Sequence, residues 1–78
     1  MFMSAYPAQG AYSVTPADSL LPKICRGLYI GTSGNVGIRG LDGLDVVFVG
    51  VHGGTVLNVG CVVVFATGTT ATNIIALL

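Results

Sequence analysis

Two long apolar runs dominate the stretch from Leu44 to Thr67, and the residues His52, Gly53 and Gly54 separate them. β-Branched and aromatic side chains pack well on a pleated sheet, and a pair of glycines allows a tight reversal. The pattern therefore predicts a strand, a turn and a second strand.

Both predicted strands are apolar on both of their faces. Side chains alternate between the faces of a strand, and a strand with one wet face should alternate apolar and polar residues. On strict alternation, the first run places Val46 and Phe48 on one face and Val47, Val49 and Val51 on the other. The second run places Cys61, Val63 and Phe65 on one face and Val62, Val64 and Ala66 on the other. We therefore expect one face to complete the subunit and the other to take part in an assembly.

The rest of the chain after residue 22 has the same rhythm of short strands and glycine-containing turns. We predict six strands, over residues 24–30, 35–40, 44–51, 55–59, 60–67 and 72–78, the fourth and fifth being continuous if Gly60 forms a bulge. Gly31 and Gly34 flank one predicted turn, and Asp42-Gly43 forms another. This spacing predicts an all-β fold, a small antiparallel β-sandwich or barrel.

Residues 1–22 differ from the compact β-domain predicted for residues 23–78. They contain all three prolines and predict an extended N-terminal arm, in which Thr15 could cap a single helical turn. The arm is too apolar for a solvated linker. We interpret it as a strap over a neighbouring subunit or partner, the alternative being a disordered tail. Its candidate contact residues are Phe2, Tyr6, Tyr12, Leu20 and Leu21.

Composition narrows the class of protein. The 78 residues are 53% hydrophobic and only 8% charged, which predicts a subunit whose surface is largely covered by neighbours. Zero net charge argues against a nucleic-acid partner. A membrane partner is not expected either, because Asp45, His52, Gly53, Gly54 and Asn58 interrupt the apolar runs and the Gly and β-branched content favours strands over a spanning helix.

The residues that usually carry chemistry are sparse. His52 is the single histidine and lies in a glycine-rich turn, so we predict no catalytic site. Cys25 and Cys61 lack the spacing of a metal site; they permit one disulfide, but the default is two buried thiols. The glycines around Thr32 are followed by a predicted strand, not by the helix that a phosphate-binding loop needs, so we predict no cofactor.

Two series of residues carry a resemblance to a known family. The first is Leu21-Pro22, then Arg26-Gly27-Leu28-Tyr29-Ile30-Gly31 and Gly34-Asn35-Val36; the second runs from Phe65 to Leu77 and contains Ala66-Thr67-Gly68-Thr69-Thr70-Ala71-Thr72. Over residues 21–78 the chain resembles the small spike-base proteins of tailed bacteriophages and gene transfer agents. The resemblance implies a compact, non-enzymatic β-domain on the capsid, often at five-fold vertices, that anchors a spike or fibre.

The leading hypothesis is therefore a virion structural protein that is assembled in the host cytoplasm and self-associates on the phage capsid surface. It would act as capsid decoration or cement, or as a spike base, with the major capsid protein and a spike or fibre protein as partners. A homo-oligomer is expected, a pentamer or a trimer. Arg26 and Tyr29 are further candidate contacts. The alternative hypothesis is a small soluble β-module that binds a ligand or peptide through its Gly- and Thr-rich turns.

Overall fold

The computed structural model describes residues 9–78, which form seven β-strands. Within that range there is no helix long and apolar enough to cross a membrane. The strands are β1 (Ala11–Val14), β2 (Gly27–Thr32), β3 (Gly34–Gly40), β4 (Asp45–Val51), β5 (Thr55–Leu57), β6 (Cys61–Val64) and β7 (Thr72–Leu77).

The strands form two antiparallel sheets that share one core. A four-stranded sheet has the order β1-β7-β2-β5, and a three-stranded sheet has the order β4-β3-β6. Side chains from both sheets are almost completely buried between them, namely Leu28, Ile30, Ile74 and Ala76 from the larger sheet and Val36, Ile38, Cys61 and Val64 from the smaller. The predicted all-β class is confirmed.

Gly31 and Gly34 serve close packing instead of a turn. β2 continues to Thr32 and β3 begins at Gly34, so only Ser33 separates them. A Cβ atom on Gly34 would lie 2.5 Å from the backbone nitrogen of Ala71, and one on Gly31 would lie 2.6 Å from the Cβ of Asn73. The prediction of a glycine-flanked turn here was wrong, because these glycines allow the end of the β6–β7 connection at Ala71 and the start of β7 at Asn73 to approach.

The stretch from 44 to 67 is not a single strand–turn–strand unit. β4 and β6 both pair with β3, one on each side, and β5 pairs with β2 in the other sheet. The predicted fourth and fifth strands are therefore not continuous. Gly60 lies in the connection between the sheets, where a Cβ would lie 2.8 Å from Leu41 Cδ1.

A β-bulge in β4 breaks the predicted alternation of faces. Gly34 pairs with Val51 and Val36 pairs with Phe48, so two β4 residues lie opposite Asn35 alone. Gly50 adopts a positive φ of 71°, and its N–H donates to Asn35 Oδ1 at 3.0 Å. Placing Val51 on the face of Val47 was wrong, because the extra residue turns Val51 into the core beside Phe48.

A second irregularity occurs in β6. Arg39 pairs with Val63 and Gly40 pairs with Cys61, which leaves Val62 without a counterpart on β3. Cys61 and Val64 consequently both reach the core, although strict alternation placed them on opposite faces.

The arm contributes to both sheets. β1 pairs with β7 along its whole length. Beyond it, Ala17 N–H donates to the Val64 carbonyl at 2.9 Å and Leu21 N–H donates to the Val62 carbonyl at 2.8 Å. No helical turn forms at Thr15. Residues 17–21 therefore cover the edge of β6 that faces away from β3.

The predicted Asp42-Gly43 turn is confirmed. Gly43 has a φ of 83°, and Asp42 Oδ1 accepts a hydrogen bond from Leu44 N–H at 3.1 Å. A short polar side chain thus closes the loop between β3 and β4, as such residues commonly do in turns.

Candidate assembly surface

The largest exposed apolar region on a single strand belongs to β4 and the residue before it. We define the β4 surface as Leu44, Val46, Val47 and Val49. Val46 and Val47 point to opposite faces of the sheet, yet they are 48% and 47% exposed, and Val49 is 78% exposed. Apolar residues scattered singly over a protein are ordinary, whereas several exposed ones along one edge strand make that edge a candidate for interaction.

The backbone of β4 is also uncovered on one side. All its ladder partners within residues 9–78 lie on β3. With respect to the described part of the chain, the opposite edge therefore presents unpaired N–H and C=O groups, which a further strand can pair with. An uncovered edge explains why Val46 is half exposed although it points toward the core side of the sheet.

An open groove of about 320 Å³ adjoins the β4 surface. Its walls are Asp45, Val46, Val47, Phe65 and Thr67. Arg39 Nε lies 2.8 Å from Asp45 Oδ1, and the Arg39 guanidinium stacks over the Phe65 ring at 5.5 Å from its centroid. The groove thus has an apolar floor with a carboxylate held at its rim.

The ion pair at this rim alters the ionisation of its carboxylate. The hydrogen bond from Arg39 favours the charged form and lowers the pKa of Asp45 below its ordinary value. Both side chains are about half exposed, so solvent screens the pair and its contribution to stability is small.

A second apolar row crosses the outer face of the four-stranded sheet. Tyr29 pairs with Val56 on β5 and with Ile75 on β7, so the three side chains lie side by side. Tyr29 and Val56 are exposed and Ile75 is half-buried. We call these three residues the Tyr29 row.

The contact residues predicted in the arm differ in their burial. Phe2 and Tyr6 lie outside the described residues. Tyr12 packs against the core, and its hydroxyl donates to the Lys23 carbonyl at 2.6 Å. Leu21 also packs against the core, whereas Leu20 is exposed.

Arg26 and Tyr29 lie on the four-stranded sheet, away from β4. Tyr29 belongs to the row described above, and Arg26 is exposed immediately before β2. The individually named candidate contacts do not include β4 residues, although one face of the apolar runs in residues 44–67 is expected to take part in an assembly. The sequence nevertheless contains the pattern that identifies them. The run 44–51 is apolar on both faces, and a strand at the edge of a sheet cannot have both faces covered by its own chain.

Several side-chain hydroxyls in and near the Gly- and Thr-rich turns form hydrogen bonds within the chain. Thr69 Oγ1 accepts from Gly37 N–H at 2.9 Å, and Thr70 Oγ1 accepts from Asn35 N–H at 2.8 Å. Near His52, Ser33 Oγ accepts from Gly53 N–H at 2.8 Å. These three hydroxyls therefore hold neighbouring segments of the chain together.

Among residues 9–78 there is no group of three His, Cys, Asp or Glu side chains placed to hold a metal ion. His52 is exposed in its turn. The two thiols lie together in the interior, where Cys25 and Cys61 are both buried.

Comparison with known proteins gives one informative match. No protein-family model matches the chain, and no curated protein matches it. A solved structure described as the capsid of a native GTA particle computed with C5 symmetry contains a similar chain. The two are 33% identical with a TM-score of 0.85, and the match covers 100% of this chain and 92% of the other.

Proposed function

Because this chain belongs to the same family as the matched chain of the GTA (gene transfer agent) capsid, we propose that it is a structural protein of a phage or GTA virion. This match is the main support for the proposal, because the two chains are 33% identical over the full length of this chain and are therefore similar in sequence as well as in fold. Within that role, the chain is a non-enzymatic decoration, cement or spike-base subunit on the capsid surface. Its task is to oligomerise there and stabilise the head or anchor a spike or fibre.

The β4 surface is the contact with a second copy of the chain. Interfaces between permanent partners are more apolar than the rest of a protein surface and resemble a core cut in half. Val46, Val47 and Val49 have this character, and the free edge of β4 adds backbone groups for strand pairing. The chain carries six charged residues in total, so little of its surface is suited to permanent contact with water.

The accessible area of the chain is compatible with a ring. A typical stable contact buries about 800 Å² on each partner. Two such contacts, one on each side of a subunit, would cover roughly a third of the 4580 Å² of accessible surface. Five copies fit a position around a five-fold axis, and C5 is the symmetry with which the matched capsid was computed. Three copies fit a cement role.

The remaining contacts are assigned to the arm and the Tyr29 row. Residues 1–8 and Leu20 would meet the major capsid protein or an adjacent copy. Arg26 and Tyr29 would face the capsid or the spike, because they lie on a different sheet from the β4 surface. This arrangement gives a subunit separate surfaces for its own copies and for its other partners.

The first experiment measures the mass of the purified chain in solution by light scattering during gel filtration. We expect an oligomer, and we expect Val49→Asp to convert it to a monomer with an unchanged circular dichroism spectrum. Val56→Asp is the matched control, because it places the same charge on an exposed valine of the other sheet. A wild-type monomer at micromolar concentration, or equal effects of the two substitutions, would contradict the assignment of β4.

The second experiment tests the virion role directly. Tagged chain is produced in cells that assemble the cognate capsid, and particles are purified by density gradient. We expect the chain at a fixed ratio to the major capsid protein, and a ratio of five per vertex would identify the five-fold site. Its absence from intact particles would overturn the proposed role.

A further inference from the structure

The two thiols of the chain lie directly opposite each other across an antiparallel bridge. Cys25 precedes β2, Cys61 begins β6, and the two residues form an isolated bridge outside the named ladders. Each N–H donates to the carbonyl of the other at 3.3 Å. The sulfur atoms are 2.9 Å apart.

This geometry suits a disulfide. Directly paired residues of this kind have Cα atoms about 5.5 Å apart, within the range of about 4.4–6.8 Å that disulfides span. The sulfur atoms need to approach by less than about 1 Å to reach a bond length of about 2.05 Å. No large backbone movement is therefore required.

We propose that Cys25 and Cys61 are a modification site at which a disulfide forms when the protein meets a disulfide oxidant such as oxidised glutathione. The bond would join the segment before β2 to the first residue of β6, and so tie the four-stranded sheet to the three-stranded one. The closed loop would contain β2, β3, β4 and β5. It would constrain more than a third of the chain.

The reaction proceeds by two exchanges. The Cys25 thiolate attacks one sulfur of oxidised glutathione, which forms a mixed disulfide and releases one glutathione thiolate. The Cys61 thiolate then attacks the Cys25 sulfur and releases the second glutathione. The two protein thiols lose two electrons and two protons, and oxidised glutathione takes them up as two molecules of reduced glutathione.

The surroundings of the pair favour Cys25 as the attacking group. The hydrogen bond with Cys61 lowers the pKa of the Cys25 thiol, and the same contact raises the pKa of the Cys61 thiol. A thiol with a lowered pKa supplies more of the reactive thiolate near neutral pH. Both sulfur atoms are buried, so glutathione must enter through a local opening. The neighbouring Pro22, Lys23 and Ile24 are exposed, and the two backbone bonds of the bridge are long.

The biological setting of this inference rests on the proposed virion role, whereas its chemistry does not. A particle that leaves a cell passes from a reducing cytoplasm to an oxidising exterior, where disulfides persist. The isolated chain is therefore sufficient for the test. A failure of the disulfide would leave the capsid role intact, and a failure of the capsid role would leave the disulfide intact.

The test treats purified full-length chain with either dithiothreitol or oxidised glutathione, then denatures it in N-ethylmaleimide and records the intact mass. We expect two maleimide adducts after dithiothreitol, and no adduct with the loss of two hydrogens after oxidised glutathione. We also expect oxidation to raise the melting temperature by about 10 °C or more, because the bond restricts the unfolded chain. Cys25→Ala and Cys61→Ala should each abolish that rise.

Three results would overturn the proposal. They are two maleimide adducts after oxidation, a stable glutathione adduct on one cysteine, or a disulfide between two chains on a non-reducing gel. If an alanine variant does not fold, the comparison of the reduced and oxidised wild-type chain still decides the question.

Discussion

β4 and β6 flank the same strand and are both rich in valine, but one is exposed and the other is buried. Val47 on β4 and Val63 on β6 both point to the outer face of the three-stranded sheet, and they are 47% and 2% exposed. The two strands also differ at their other edges. Residues 17–21 of the arm run beside β6, whereas β4 has no further strand beside it within residues 9–78.

This comparison shows that the sequence of a strand does not by itself fix what it contacts. Two similar valine-rich segments pair with β3, and the described part of the arm, from residue 9 onward, covers only one of them. β6 is completed within the chain, and the outer edge of β4 stays unpaired within residues 9–78. The same apolar composition therefore supports the fold at one edge of the sheet and, in the proposed role, assembly at the other.

The largest expected effect comes from placing a charge at equivalent outer positions of the two strands. Val63→Asp places a carboxylate at a position that is 2% exposed, opposite Arg39, whose guanidinium already binds Asp45. We expect it to cost roughly 3–5 kcal/mol, a large share of the total stability of about 5–15 kcal/mol that is typical of a domain, and to lower the melting temperature sharply. Val47→Asp should leave the fold intact and abolish oligomer formation. Thermal melts by circular dichroism and mass by light scattering distinguish the two. Equal losses of stability would remove the difference between β4 and β6.

A smaller effect is expected when the arm is loosened from β6. The Asp18 carboxylate accepts from Ala66 N–H at 3.1 Å and from the Thr67 hydroxyl at 3.3 Å. Asp18→Ala should cost about 1 kcal/mol and should accelerate hydrogen exchange at the amides of Ala17 and Leu21, which pair with β6. Asp42→Ala is the matched control, because it removes another carboxylate from a backbone N–H but leaves the arm untouched. Unchanged exchange at both amides would show that Asp18 does not hold the arm.

The smallest effect concerns the ion pair between β3 and β4. The pKa of Asp45 is lower in the folded chain than in the unfolded chain because Arg39 donates to it. The pair therefore contributes stability at pH values above the ordinary aspartate pKa, and this contribution is lost as the pH falls through the lowered value. A carboxyl titration by NMR should show the Asp45 pKa rising toward its ordinary value in Arg39→Gln. An identical titration curve in the variant would exclude the ion pair as the cause.

The fold class and one turn followed directly from local patterns. Short β-branched runs between glycine-rich turns predicted an all-β structure, and Asp42-Gly43 predicted a loop that the structure contains. Both signals depend on residues close in sequence. They were predictable because neighbouring side chains and the conformational freedom of glycine decide them.

The predictions of strand faces and of the glycine-flanked turn were wrong at positions whose structure depends on residues far away in the sequence. The bulge at Gly50 depends on Asn35, fifteen residues earlier, and the irregularity at Val62 depends on pairing with β3. Each adds one residue and reverses the faces of the residues after it, which alternation along a single strand does not reveal. Gly31 and Gly34 were interpreted as turn residues because the residues they pack against, Asn73 and Ala71, lie about forty positions away in the sequence. The local pattern therefore gave no indication of close packing.

The candidate assembly surface was also predictable only where it depends on local sequence. The sequence indicated that residues 44–51 needed cover on both faces, but it did not indicate that β4 would be the edge left open. The candidate contacts in the arm were chosen for their apolar or aromatic character. Tyr12 and Leu21 use that character inside their own subunit, a distinction that only the packing against the core reveals.

The bulge in β4 has a consequence for the newly made chain. A long, flat and apolar edge strand is a template for fibrous aggregation, in which copy after copy adds in register. Gly50 interrupts the regular ladder after Phe48, and the charge of Asp45 stands at the start of the strand. Only a short, twisted segment is therefore available for pairing. Such an edge disfavours the addition of copy after copy in register.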